Sequence, residues 1–467
     1  MSYKQIPPDF APTKSFPTSL QPAPAWTAIL GLIFFSAACI VLGAGKILNL
    51  AFPLGAFAVG VILYFRYPIL YLGFTWWIWF LTPLIRRLAD YRGDFTNPSP
   101  ILLAPYLVTL LTLVTLWRYL PKADRQGGLP FILSLVGVFY GFLIGLIQVQ
   151  PVAVCIALLD WLAPVLFGFH LFINWRNYPS YRQTILRVFI WGVLLTGVYG
   201  VWQYLIAPPW DKYWMTKVDM ASVGKPQPLG IRVWSTANAP GPFANFMRAG
   251  LLVLFSSRGT LRIPASVAGY LAFLLTLVRS AWVSWFLGLI SLTSSVSTKL
   301  KIRLIIAVLV MAVLVVPLAT IEPFSSQIGE RVETLSNLED DKSANTRQET
   351  YSEQLGSALT SFVGMGIGNK SYDSAILTAL FNLGWLGTLP YITGILLLSF
   401  SLFQGGNFSF DPFVGASQAI VLGSLAQLPL GSPMVELKGM LLWGFLGIGM
   451  AAIKYYRHQQ MAELNES

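Results

Sequence analysis

The sequence predicts an all-α integral membrane protein, a polytopic bundle of about 12–14 transmembrane helices with a large helical loop on its outer face. Three observations carry that expectation. First, the 467 residues are 55% hydrophobic and only 11% charged, whereas an average soluble domain is about 25% charged. Mean hydropathy is +0.63, so the chain lacks the polar surface that a soluble protein of this length needs. Second, apolar runs close to the ~20 residues that span a bilayer recur along the chain. Third, basic residues concentrate in alternate connections between those runs.

Residues 1–25 are rich in Pro, Ser and Thr and have no signal-peptide core, so they read as a disordered cytoplasmic tail. Candidate helices at 26–44, 48–65, 68–85, 101–117, 129–147, 153–173 and 184–206 form an N-terminal transmembrane set, 26–206. An outer loop, 207–242, follows. A central set, 243–319, contains runs at 243–257, 263–278, 280–294 and 303–319. The longer outer loop, 320–373, precedes a C-terminal set, 374–453, with runs at 374–401, 411–428 and 434–453. Residues 454–467 form a second cytoplasmic tail.

Orientation follows from the charges. With Lys4 and Lys14 inside, the inner connections hold Arg66, then Arg118, Lys122 and Arg125, then Arg176 and Arg182, then Arg258 and Arg262, then Lys299, Lys301 and Arg303. Lys454 and Arg457 fall inside as well, as the positive-inside rule requires. One connection disagrees: 86–100 puts Arg86, Arg87 and Arg92 outside. Loop 320–373 is acidic, and its part 343–361 has helical spacing and a Ser/Asn start.

The net charge of +11 comes without basic clusters interleaved with aromatic residues, which excludes a nucleic-acid partner. Cys39 and Cys155 both lie in apolar runs and read as core packing. No Asp/Glu pair or His cluster has metal-ligand spacing, and no cofactor is expected. The GxGxG at 364–368 precedes a membrane helix and has no strand before it, so it is not a dinucleotide fingerprint.

Four stretches could carry chemistry. In FLLTLVRSAWVSWFLGL, 273–289, Arg279 is the one charge in an apolar run. It reads either as an arginine snorkelling to the interface or as an anion ligand. GIRVWSTANAPGPFANFMRAG, 230–250, sets Arg232 and Arg248 around a Pro/Gly turn. TRQETYSEQL, 346–355, carries Arg347 and Glu353. FVGMGIGNKSYDSAILTALFNLGWLGTL, 362–389, has three glycines as a flexible turn, then Asp373 as the N-cap of the next helix. Trp210, Tyr213, Trp214 and Trp234 on the outer loop are candidates for stacking on sugar or for anchoring at the interface.

The order of these elements over roughly 225–390 resembles the O-antigen ligase/polymerase superfamily of bacterial membrane glycosyltransferases. The matching residues are the arginines of GIRVWSTANAPGPFANF, TLVRSAW and NTRQETY, followed by GMGIGNKSYDSAILTALFNLGWLG. The resemblance implies a glycan donor on a polyprenyl-pyrophosphate carrier, a glycan acceptor, and reaction at the periplasmic face of a bacterial plasma membrane. Loop 320–373 would then be the periplasmic loop. A chain-length regulator is a further candidate partner. The resemblance also implies that Arg232, Arg279 and Arg347 bind pyrophosphate, and Arg248 joins them as a substrate-binding candidate. Asp373 and Glu353 are the carboxylates in the matching stretch that could act on the acceptor hydroxyl. Ligases carry a histidine near the end of the long loop. Here the two histidines are His170, in an apolar helix, and His458, in the tail. That departure favours a metal-independent polymerase over a ligase. The rival expectations are a small-anion, bicarbonate-type transporter and a non-catalytic polysaccharide-export component.

Overall fold

The computed structural model describes residues 22–218, 220–294, 342–369, 372–405 and 411–466, together with Ile302, Ile305, Ile306 and Leu309. It is an all-α polytopic membrane protein. The first half contains α1 (Ala23–Val41), α2 (Gly45–Arg66), α3 (Pro68–Arg92), α4 (Ala104–Leu110), α5 (Leu113–Tyr119), α6 (Leu129–Gln148), α7 (Pro151–Ile173) and α8 (Tyr178–Ile206). The second half contains α9 (Pro209–Val218), α10 (Pro240–Ser256), α11 (Arg262–Leu275), α12 (Arg279–Ser294), α13 (Lys342–Thr360), α14 (Ala375–Gln404), α15 (Pro412–Leu425) and α16 (Glu436–Glu466). Among the described residues, nine helical segments are long and apolar enough to cross a membrane. The shorter α10, α11, α12 and α15 pack into the same bundle. The tail 1–21 and the connection 320–341 lie outside the described residues, as does the expected helix 303–319 apart from isolated positions.

The helices start where the sequence supplies proline. Pro68, Pro151, Pro209, Pro240 and Pro412 each open a helix, where the missing N–H costs nothing. Large apolar side chains face outward along them, as at Phe34, Leu42, Trp117 and Ile147. Such a surface is stable against lipid and not against water. Cys39 is buried, but Cys155 is exposed, so it lies on the outside of the bundle and not in its core.

Lipid gives helices no hydrophobic reason to associate, so close backbone approach and polar contacts hold the bundle together. The run GVFYGFLIG places Gly137, Gly141 and Gly145 along one stripe of α6. A Cβ at Gly137 would lie 2.4 Å from the Gly387 carbonyl oxygen, and one at Gly141 would lie 2.4 Å from Leu383. Ser134 Oγ donates to the Tyr391 carbonyl at 2.9 Å across the same seam. Gly168 of α7 and Gly447 of α16 form a second seam, where a Cβ on Gly447 would lie 2.2 Å from the Gly168 oxygen.

The first seam has a consequence in α14. Gly384, with φ 57 and ψ −176, breaks the helix into two parts. The Trp385 and Leu386 amides that lose their helical acceptors donate instead to the carbonyls of Ser361 and Phe362, at 3.1 and 3.3 Å. Non-helical backbone at membrane depth is tolerated only with such replacements. The sequence shows this break only as one glycine inside an apolar run.

Contacts divide the helix ends into two faces. On one, Asp411 accepts from Tyr178 at 2.6 Å and Tyr456 at 2.7 Å, with Arg182 at 3.4 Å. The other carries the long loops and their charges. There Arg86 pairs with Asp90 at 3.3 Å and donates to the Thr96 carbonyl at 3.1 Å. The exposed Lys46 lies 2.6 Å from Asp94 and holds that carboxyl below its usual range, first by hydrogen bonding. Arg87 is fully buried. Its Nε lies 2.8 Å from Asp211 Oδ1 as an ion contact, and its other two nitrogens donate to the carbonyls of Ser235 and Ala237. The arginines of 86–100 therefore sit on the long-loop face because two of them are internal ligands of the loop structure.

Two outcomes are expected. Gly137→Ala should destabilise by about 1–3 kcal/mol through overpacking, while Gly31→Ala, with nothing within 4 Å, should leave stability unchanged or slightly raised; thermal unfolding in detergent distinguishes them. Arg87→Met should cost about 3–5 kcal/mol because it leaves Asp211 buried without its cation, and Arg87→Met with Asp211→Leu should cost less than the sum of the single changes. The same unfolding assay reads this cycle.

Candidate functional site

Arg87 and Gln203 build one wall of the site. Asp211 Oδ2 accepts from Gln203 Nε2 at 2.7 Å and Tyr199 at 2.9 Å. Gln203 Oε1 in turn accepts from the amides of Trp234 and Ser235, at 3.2 and 2.8 Å. Ser235 Oγ donates to the Thr196 carbonyl at 2.6 Å. Ser235 is thereby held at φ 50, a conformation that a serine keeps only when its surroundings determine it. Trp214 and Trp234 are buried against each other, ring centres 5.9 Å apart, and both pack on Arg87, their ring centres 6.0 and 5.9 Å from its guanidinium carbon. They form the loop's interior, so neither of the two expected roles, stacking on sugar or anchoring at the interface, is open to these two side chains. Trp210 donates to the Tyr199 hydroxyl at 2.8 Å, and Tyr213 packs edge-on against Tyr91.

From this wall the chain leads directly to the predicted arginines. Residues 231–233 run beside the α11–α12 connection, with the Val233 amide donating to the Leu275 carbonyl at 3.0 Å. Arg232 Nε donates to the Thr276 carbonyl at 3.3 Å, and its Nη2 donates to the Leu277 carbonyl at 3.2 Å. Leu277 has φ 54, and the next turn begins α12 at Arg279. Arg232 and Arg279 therefore belong to one corner. A cation on the first residue of a helix opposes the helix dipole, while an anion there is stabilised by both. The corner thus favours a negatively charged ligand.

A segment that sequence reasoning treated as helix ends ties this corner to the other motifs. The connection 426–435, AQLPLGSPMV, follows α15. Gln427 Nε2 donates to Ser284 Oγ at 2.6 Å and to the Ser280 carbonyl at 3.4 Å, in the first turns of α12. The Tyr351 hydroxyl of α13 is shared between Ser374 Oγ and the Pro429 carbonyl, which lies 3.2 Å away. The Ala375 amide reaches the carbonyls of Leu428 and Gly431. Ser432 Oγ donates to the Tyr372 carbonyl at 3.2 Å. The LPLGSP turn chemistry and its polar neighbours were the signal for this segment.

Asp373 is exposed between the pinned residues Tyr372 and Ser374. It does not cap α14; Ser374 does, accepting from the Leu377 amide at 3.3 Å. The glycines before it do not form a flexible turn. Gly364, Gly366 and Gly368 have φ of 82, 80 and 92, which favour glycine. Gly364 lies against Gly384 of α14, Gly366 against Gly145 of α6 and Gly368 against Ala153–Val154 of α7, and between them the Ile367 amide donates to the Gly141 carbonyl at 3.0 Å. A Cβ on Gly366 would meet Gly145 Cα at 2.2 Å. Glu353 is exposed on α13, two residues after Tyr351. Arg347 lies one turn before Tyr351 on the same helix, and its side chain is outside the described residues.

Arg248 is not with the others. It is 1% exposed inside the bundle and donates from Nη2 to Ser424 Oγ at 2.7 Å. Its Nε and Nη1 have no hydrogen-bond partner among the described residues. Sequence reasoning also missed Asp160, in the middle of α7, which accepts from the Tyr106 hydroxyl. Asp160 is in electrostatic reach of Glu436, and Lys438 is in reach of both Glu436 and Asp373. His170 is buried, with Nδ1 2.7 Å from Thr115 Oγ1, and His458 packs on Trp175 at the opposite face. Compared with protein-family models, curated proteins and solved structures, the chain matches none.

Proposed function

We propose that the chain is a membrane glycosyltransferase of the O-antigen ligase/polymerase kind, working in a bacterial plasma membrane with both termini in the cytoplasm. It transfers or polymerises polysaccharide repeat units from a polyprenyl-pyrophosphate carrier at the periplasmic face. The observation that carries this reading is the convergence of the motifs on one face: Arg232 is bonded to the turn that leads into Arg279, and segment 426–435 joins that helix to α13 and the Asp373 turn.

The chemistry fits that arrangement. Breaking the bond between the sugar and pyrophosphate leaves negative charge on the departing phosphate. Arg232 and Arg279, with Arg347 from α13, stabilise that charge by fixed hydrogen bonds. Asp373, or Glu353, orients the acceptor hydroxyl or takes its proton. Arg279→Ala should lower glycan transfer by about a hundredfold, and Arg279→Lys should restore little, because lysine lacks the two-pronged donor geometry. Glycan length from purified protein in nanodiscs, supplied with polyprenyl-pyrophosphate oligosaccharide, checks this. A loss of less than about tenfold for Arg279→Ala would sink the proposal.

One observation favours a second reading, a small-anion transporter. Arg248 lies deep in the bundle with two nitrogens lacking acceptors among the described residues, and charged groups at membrane depth mark ion pathways. Bicarbonate flux into proteoliposomes that is abolished by Arg248→Gln, but not by Arg279→Ala, would establish transport in place of transfer.

A further inference from the structure

The opposite face of the molecule holds a concave pocket of about 490 Å³. It forms where three parts of the chain meet: the end of α5 with the turn that follows it, the end of α7 with residues 174–177, and the last part of α16. Three cations line it, one from each part: Arg125, Arg176 and Lys454. No carboxylate is among the lining residues; Asp124, next to Arg125 in the chain, is exposed and outside the lining. None of these cations forms a salt bridge among the described residues.

The cations are arranged, not scattered. Lys454 Nζ donates to the Gln126 carbonyl at 2.9 Å and lies 4.9 Å from the ring centre of Phe172. The Arg176 guanidinium carbon lies 4.9 Å from the ring centre of Trp175. Lys454 also lies 5.6 Å from that Trp175 ring. The aromatic faces hold two like charges close together and partly out of water, an arrangement that repels itself until an anion enters. Tyr119 and Trp175 add the amphipathic rings that occupy the interface level of a membrane.

We propose that this pocket is a binding site for a phosphate-bearing anion, on the face opposite the glycan-transfer site. Arginine and lysine together suit a ligand with one or two phosphates. The two arginines can donate paired hydrogen bonds, and the ammonium supplies a point charge. The same chemistry is offered by the headgroup of an anionic phospholipid and by a soluble phosphate or diphosphate. The inference does not depend on the proposed transfer reaction, because it uses none of its residues.

The test uses the full chain in nanodiscs of phosphatidylcholine, with and without phosphatidylglycerol. Wild type is compared with Arg125→Gln/Arg176→Gln and with Arg66→Gln/Arg258→Gln. The second pair removes two exposed cations that lie outside the pocket. Both double variants should melt as wild type does in pure phosphatidylcholine, since all four side chains are exposed. Native mass spectrometry reads retained phosphatidylglycerol, and the melting temperature is followed against added pyrophosphate. Retention of phosphatidylglycerol that falls at least about tenfold in the pocket variant alone identifies a lipid headgroup as occupant. A pyrophosphate-dependent rise in melting temperature, lost in the pocket variant alone, identifies a soluble phosphate. Equal behaviour of the two double variants, or no binding of either probe to wild type, overturns the proposal.

Discussion

The buried contact between Arg87 and Asp211 is the constraint on which the long-loop face depends. An arginine at the end of a membrane helix would ordinarily reach for water. Here it turns inward, and its three nitrogens meet one carboxylate and two carbonyls. Burying such a pair is costly unless every remaining donor and acceptor is used. Gln203 and Tyr199 donate to the other Asp211 oxygen, and Gln203 accepts in turn from the amides of Trp234 and Ser235. The result is a loop fixed along its length, so that Arg232 is delivered to the Thr276–Leu277 turn.

A second constraint acts from the other side. The glycine stripe on α6 admits both α14 and the backbone of 363–368 at distances no side chain would allow. The cost is a broken helix at Gly384, offset by the carbonyls of 361 and 362. That exchange places the turn at Tyr372–Ser374 against segment 426–435. The two constraints are far apart in sequence but meet at Gln427 and Pro429, which touch α12 and α13 respectively.

The parts of this architecture that depend on local composition were legible in the sequence. Apolar runs and proline starts mark helices because lipid demands internal hydrogen bonding and proline prefers the first turn. The grouping of Arg232 and Arg279 on one face follows from counting spans. What depends on distant pairing was not legible. Arg87 looked like a violation of charge topology because its partner, Asp211, lies on a later loop. Trp214 and Trp234 looked like surface aromatics because the cation they both pack against comes from α3. The glycines of 364–368 looked flexible because the backbones that receive them belong to α6, α7 and α14, although GVFYGFLIG carried the small-residue spacing that announces such a seam. The break in α14 gave no local sign beyond a glycine.

The arginines of this protein therefore divide by their surroundings, not by their sequence context. Arg87 donates from two nitrogens to carbonyls and lies 2.8 Å from the Asp211 carboxylate, so its charge is compensated within the fold. Arg248 is as deeply buried, but only one of its nitrogens has a partner among the described residues. Arg232 spends two donors on carbonyls of a turn and brings its charge to the start of α12, where the helix dipole adds to it. That corner is tied through segment 426–435 to α13 and the Asp373 turn, and it is this juxtaposition on which the proposed transfer reaction rests.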